Sequence, residues 1–122
     1  MLNKSYIKGR RFEGRVKKFL EEKGWFVVRQ YKSRFPDLIA VRQFKDSTDM
    51  SLHTVAIVVE CKWNKHLSKE EQEKLLELEY EFGFIPFRAY LRKEGRKSKI
   101  VLERIVRLDG KIRWFEIDWI TR

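Results

Sequence analysis

The stretch Val55-Ala56-Ile57-Val58-Val59-Glu60-Cys61-Lys62 decides the fold. Five apolar residues in a row, four of them β-branched, suit a central strand covered on both faces. The run then ends in charge. Side chains alternate along a strand, so Glu60 and Lys62 project from one face and Cys61 from the other. Charge at the end of a buried strand is costly unless it is paired, hydrated or bound to a metal. The same eight residues therefore predict the middle of a sheet and the place where its chemistry lies.

Outward from this strand, the chain reads as alternating helical and extended segments. Phe12, Val16, Phe19 and Leu20 recur at helical spacing and Gly24 stops the pattern, which predicts a helix over residues 9–23. Residues 25–29 and 37–41 have strand composition, and the polar residues 43–53 read as an exposed connection. Ser68 with Glu71 three positions on is a capping-box signature, opening a helix over 69–82 that stops at Gly83. Residues 87–91, 100–106 and 112–117 follow as strands, the last two joined by Asp109-Gly110. The order predicts an α/β fold in one domain, residues 1–122, with a central mixed sheet flanked by helices.

The 122 residues carry 28 Lys and Arg against 18 Asp and Glu, a net charge of +10, and such a field selects polyanionic partners. The excess is uneven. Residues 1–34 hold 11 basic and 3 acidic side chains and residues 88–122 hold 11 and 5, while residues 67–87 hold 2 and 6. A nucleic-acid surface built from the two ends is expected. Apolar residues at 43% supply a real core and argue against disorder. One cysteine excludes an intrachain disulfide, and with two histidines it cannot make a structural zinc site of the usual kind. No signal-peptide or membrane-span run is present in the sequence, so a soluble, cytoplasmic protein is expected.

A metal in this chain would have to be held by carboxylates. Pro36-Asp37 places one at the start of an expected neighbour of the central strand, Glu60 is a second, and Glu13 on the first helix can supply a third. Asp37 and Glu60 are the expected ligands, with the Cys61 backbone carbonyl as a further oxygen donor. Such a set suits Mg²⁺. It also suits phosphodiester hydrolysis, in which the cation neutralises the phosphate and the Lys62 ammonium orients the attacking water. Each element has a plainer reading: Glu-x-Lys as a surface ion pair, Pro-Asp as turn chemistry, Glu13 as a partner of Lys17.

Pro36-Asp37 followed by Glu60-Cys61-Lys62 resembles the PD-(D/E)xK nuclease superfamily. The pattern Lys8-Gly9-Arg10, Glu13, Gly24 to Arg29, Pro36-Asp37, Glu60 to Lys62, Gln72, Phe82-Gly83 and Pro86 is similar to that of archaeal Holliday junction resolvases, over about residues 8–91. The resemblance implies a restriction-endonuclease-like fold and a Mg²⁺-dependent endodeoxyribonuclease, with Mn²⁺ able to substitute. It implies a homodimer that cuts four-way DNA junctions, with no small-molecule cofactor and no membrane. Catalytic roles fall on Glu13, Asp37, Glu60 and Lys62. Ser33 is the candidate for the family's active-site serine.

Lys8, Arg10, Arg11 and Arg15 on the first helix, with Arg29, Lys32, Ser33 and Arg34, are the expected DNA contacts. Tyr31 and Phe35 are candidates to stack on a base or to tuck into the core. Trp114, Phe115, Trp119 and Ile120 are candidates for core closure or for a dimer seam. Two other readings compete with resolution of junctions. One is a restriction- or repair-type nuclease on other branched or duplex DNA, and the other is a basic nucleic-acid-binding module without chemistry.

Overall fold

The computed structural model describes residues 4–31 and 34–122. Lys32 and Ser33, both named above as DNA contacts, lie outside the described residues. The elements run α1 (Lys4–Glu22), β1 (Phe26–Arg29), β2 (Leu38–Lys45), β3 (Leu52–Cys61), α2 (Lys69–Phe82), β4 (Ile85–Glu94), β5 (Lys97–Leu108), β6 (Lys111–Glu116) and a final 3₁₀ turn, Trp119–Thr121. The six strands lie in one sheet in chain order, β1-β2-β3-β4-β5-β6. Only β3 and β4 pair in parallel; the other neighbours are antiparallel. A parallel pair needs a crossover, and α2 provides it.

The sheet is covered on both faces, as the apolar run of β3 requires. Phe12, Val16 and Leu20 of α1 pack with Ile57, Val59 and Cys61. On the opposite face Leu75 of α2 packs with Val58, Leu67 and Ile105. Strand alternation thus assigns odd-numbered β3 residues to the α1 face and even-numbered ones to the α2 face.

Local chemistry sets the boundaries. Gly24 closes α1 in the left-handed conformation (φ +94°), its N–H on the Glu21 carbonyl and the Trp25 N–H on that of Leu20. This is a Schellman arrangement, which frees the chain to enter β1 at once. For α2, the Ser68 side chain accepts from the Glu71 N–H while the Glu71 carboxylate accepts from the Ser68 N–H, and Gly83 (φ +77°) ends the helix. The α1 helix begins earlier than expected, at Lys4, because Gly9 is carried inside it.

Residues 43–53 are not one exposed connection. Strand β2 continues to Lys45 and β3 begins at Leu52, in register from Leu38↔Val59 to Lys45↔Leu52, leaving only residues 46–51 as the turn. Asp46 holds that turn by accepting from the Thr48 and Asp49 N–H groups. The polar composition hid two strand ends that are mostly exposed, although Phe44 within them packs on the α1-side core against Trp25 and Trp119.

The C-terminal aromatics divide between roles. Ile120 is fully buried, its carbonyl accepts from Trp25 Nε1 at 2.6 Å, and Trp119 meets Phe44 edge-on. These two close the core. Trp114 lies under the Arg88 guanidinium at 3.7 Å, and Phe115 remains exposed. Among the described residues no helix is long and apolar enough to cross a membrane.

Candidate active site

The antiparallel pairing of β2 with β3 builds the site. Leu38 lies opposite Val59, so one step further the register sets Asp37 beside Glu60. The Asp37 N–H donates to Glu60 Oε1 at 3.1 Å, and Asp37 Oδ2 accepts from the Cys61 N–H at 2.8 Å. The Phe35–Pro36 peptide ahead of them is cis. Cys61 points into the α1-side core, as strand alternation requires, and its thiol is held well above its usual pKa by burial first and then by Asp37 and Glu60.

Glu60 is buried at 5% exposure, which shields its carboxylate from most of the water. Desolvation, followed by the charge of Asp37, pushes its pKa from 4.5 to about 10. Burial also raises Asp37, against the lowering effect of its hydrogen bonds. Lys62 lies 3.9 Å from Glu60 and 2.9 Å from Glu71. Its pKa is raised: desolvation acts downward, but the contact with Glu71 and the charges of Glu71, Glu60 and Asp37 outweigh it.

Glu13 reaches the site from α1, where burial and then the charge of Asp37 raise its pKa. Its ion pair is with Arg29 at 3.7 Å, while Lys17 pairs with Glu21. The plainer reading of Glu13 as a partner of Lys17 is therefore excluded. Glu13, Asp37, Glu60, Lys62 and Glu71 line one open cleft with Arg10, Arg34, Phe35 and Trp63.

Glu71 is the residue that sequence reasoning missed. Its capping-box signature accounted for it fully, yet the cap leaves the carboxylate facing Lys62 and Glu60. Burial opposes its ionisation, but the Ser68 N–H and Lys62 prevail and bring its pKa down to about 2. Gln72, by contrast, bonds the Leu67 carbonyl at 3.0 Å and serves the helix start.

The acidic side chains that line the cleft offer carboxylate oxygens, which fit a hard divalent cation and not a soft one. Burial and the adjacent Asp37 hold Glu60 toward its neutral form despite Lys62 at 3.9 Å. Glu13, Asp37 and Glu60 do not close to within 4.8 Å of one another; among the described residues Asp46, Asp49 and His53 do. That trio joins the β2–β3 turn to His53 of β3, and amide donors from residues 48, 49 and 51 already occupy the two aspartates.

Of the expected DNA contacts, Arg10 and Arg34 line the cleft, and Lys8, Arg11 and Arg15 line a groove beside it. Arg29 is engaged elsewhere: its Nη2 donates to the Arg10 carbonyl at 2.6 Å and its Nε faces Glu13. Phe35 packs on the α2-side core, whereas Tyr31 is 77% exposed. Several C-terminal arginines are neutralised by acids, Arg104 by Glu79, Arg107 by Glu73 and Arg92 by Glu116. The basic excess at the two ends is therefore not equally available to a ligand.

Adjacent Pro-Asp and Glu-x-Lys strands that bring an aspartate, a glutamate and a lysine together at a sheet end define the PD-(D/E)xK class of nucleases. Comparison with known proteins narrows the class. The family model for archaeal Holliday junction resolvase (Hjc) matches residues 4–118, and the chain belongs to that family. It is 33% identical over 88 residues to the crossover junction endodeoxyribonuclease Hjc of Methanocaldococcus jannaschii. That alignment takes in 69% of this chain and 59% of the relative, so the chain spans about three-fifths of the relative's length. The solved structure of Archaeoglobus fulgidus Hjc, a Holliday junction resolvase from an archaeal hyperthermophile, is similar with a TM-score of 0.57. The match covers 93% of this chain and 86% of that one at 23% identity, a likeness of fold.

Proposed function

We propose that the protein is a Mg²⁺-dependent endodeoxyribonuclease that cuts four-way DNA junctions as a homodimer, residues 1–122 forming one nuclease domain. The observation that carries this is the crosswise pair of Asp37 and Glu60 beside Lys62 on the floor of an open cleft. Family membership supports the substrate. The protein acts in the cytoplasm, without a small-molecule cofactor.

Asp37 and Glu60 would hold the cation, with the Cys61 carbonyl and Glu13 beside them, and Mn²⁺ would substitute. When bound, it would supply charge neutralisation at the scissile phosphate and a more acidic water. The chain's own residues do the rest. Each carboxylate has one oxygen on a backbone N–H, so the pair is fixed before substrate arrives. Glu71 anchors Lys62 at 2.9 Å, which aims its ammonium at the water and the developing phosphate charge. Arg10 and Arg34 hold neighbouring phosphates. Two copies are required because resolution needs two symmetry-related cuts, and exposed Phe26 and Val28 on edge strand β1 offer apolar surface for pairing.

The test is cleavage of a labelled four-way junction, a flap and a linear duplex side by side with Mg²⁺. Asp37→Ala, Glu60→Ala and Lys62→Ala should each lower junction cleavage by at least about 100-fold while retaining junction binding. Wild-type rates in all three overturn the reading. Equal cutting of flap or duplex would replace junction resolution by a repair-type activity.

A further inference from the structure

A second groove of about 610 Å³ lies alongside the catalytic cleft, and Trp63 borders both. Its floor is apolar, from Ile7, Phe12 and Leu91, and its rim is basic. Lys4, Lys8, Arg11 and Arg15 are spaced so that one face of α1 carries all four. Lys4, Arg11 and Arg15 have no acidic partner among the described residues, in contrast to the paired arginines of β4 and β5. Past Arg15 the surface continues to Lys97 and Lys99 at the start of β5. Two C-terminal lysines thus extend the basic face of α1, with Glu94 beside them.

Trp63 is held firmly and left open. It follows Lys62 directly, whose N–H bonds the Ala89 carbonyl, and its own carbonyl accepts from the Leu91 N–H. The residue is 39% exposed and belongs to neither core cluster, and its ring carries Lys8 Nζ at 3.6 Å from its centroid. A core role does not explain a large aromatic one residue beyond the site lysine.

We propose that this groove takes an unstacked nucleotide of the DNA strand next to the scissile phosphate, with Trp63 as its stacking face and Lys8, Arg11 and Arg15 on its flanking phosphates. The inference rests on the nuclease reading and adds to it a strand-binding subsite. An apolar floor with a cationic rim matches a base with its phosphates, and continuity with the cleft through Trp63 fixes the occupant as the strand being cut. Lys8 moves from the ring to a phosphate when the base arrives.

The test uses fluorescence anisotropy in EDTA, with a labelled oligothymidine of about 12 nucleotides and a labelled four-way junction. Trp63→Ala should weaken oligothymidine binding about tenfold with an unchanged salt slope, because the lost contact is aromatic and not ionic. Trp63→Phe, which keeps a ring in place, should recover most of that loss and shows that folding is not its cause. Lys8→Ala and Arg11→Ala should each lower the salt slope by about 0.7. Wild-type affinity in Trp63→Ala, or Trp63→Phe no better than Trp63→Ala, overturns the inference. Wild-type junction cleavage, measured separately, distinguishes the two readings. If junctions are cut while Trp63→Ala binds normally, this inference alone falls. If no DNA is cut but the Trp63 loss appears, the resolvase reading falls and the strand site stands.

Discussion

Asp37 and Glu60 are locked crosswise: the Asp37 N–H donates to the Glu60 carboxylate, and the Asp37 carboxylate accepts from the N–H of Cys61, the residue after Glu60. Each acid is thereby held by the backbone of the other's strand. The arrangement orients both groups at an electrostatic cost, since two carboxylates are set together out of water.

That cost is measurable in stability. Glu60 titrates near 10 in the folded chain against 4.5 when exposed, so the fold favours its neutral form. Its contribution is full below pH 4.5 and is lost as pH rises toward 10. In EDTA at pH 8–9, Glu60→Gln should therefore melt higher than wild type, by about 1–2 kcal/mol of stability, and cut nothing. Thermal melts from pH 5 to 9 beside a cleavage assay check both halves.

Divalent cation should stabilise the wild type through the same pair. At 100 times its dissociation constant a ligand contributes about 2.7 kcal/mol. Melting with added Mg²⁺ or Mn²⁺ should show a rise that Asp37→Asn abolishes. A rise that survives Asp37→Asn but vanishes in Asp46→Asn would move the site to the β2–β3 turn.

Glu71 has two roles that separate by mutation. Ser68→Ala removes the helix cap, costs about 1 kcal/mol, and leaves the Lys62 contact in place. Glu71→Ala loses both and should slow cleavage about tenfold beyond Ser68→Ala, visible in single-turnover rates. The folded pKa of Glu71, about 2, adds stability above pH 4.5 that is lost as pH falls through 2. Acid melts of Glu71→Gln should lack that transition.

Arg29 ties α1 to β1 through the Arg10 carbonyl and Glu13. Arg29→Ala should cost about 3 kcal/mol, because Glu13 is left buried without its countercharge. Glu13→Gln in the same background should recover part of it. Urea melts of the two variants decide.

Ile120 is buried against the α1-side core. Ile120→Ala should cost about 2–4 kcal/mol without changing the oligomeric state, measured by urea melts and light scattering. A change in assembly instead would return the C-terminus to the role of a dimer seam.

Much of the site was readable from order and spacing. Alternation along β3 placed Glu60 and Lys62 on one face and Cys61 on the other, and Pro36-Asp37 announced the neighbouring strand. Glu71 was legible only as a cap, because its second contact depends on how α2 lies over the strand end. Arg29 and the C-terminal arginines were read as DNA contacts or free charge for the same reason: a charge count is blind to partners such as Glu13, Glu79 and Glu73. The strand ends within residues 43–53 escaped because most of their side chains are exposed and polar, and the one contact of Phe44 with the core lies across the chain at Trp25 and Trp119.

The sequence by itself determined the central strand and the charged residues that end it, since the apolar run of residues 55–59 forces a strand buried on both faces. It also determined both helix stops, through Gly24 and Gly83. Only the tertiary structure decided which charges remain available: the Asp37–Glu60 register, the Glu71 contact with Lys62, and the unpaired face of α1 beside Trp63. Hydrophobic periodicity and turn chemistry act between near neighbours in the chain. Ion pairing and desolvation act across space, between residues whose separation only the folded sheet sets.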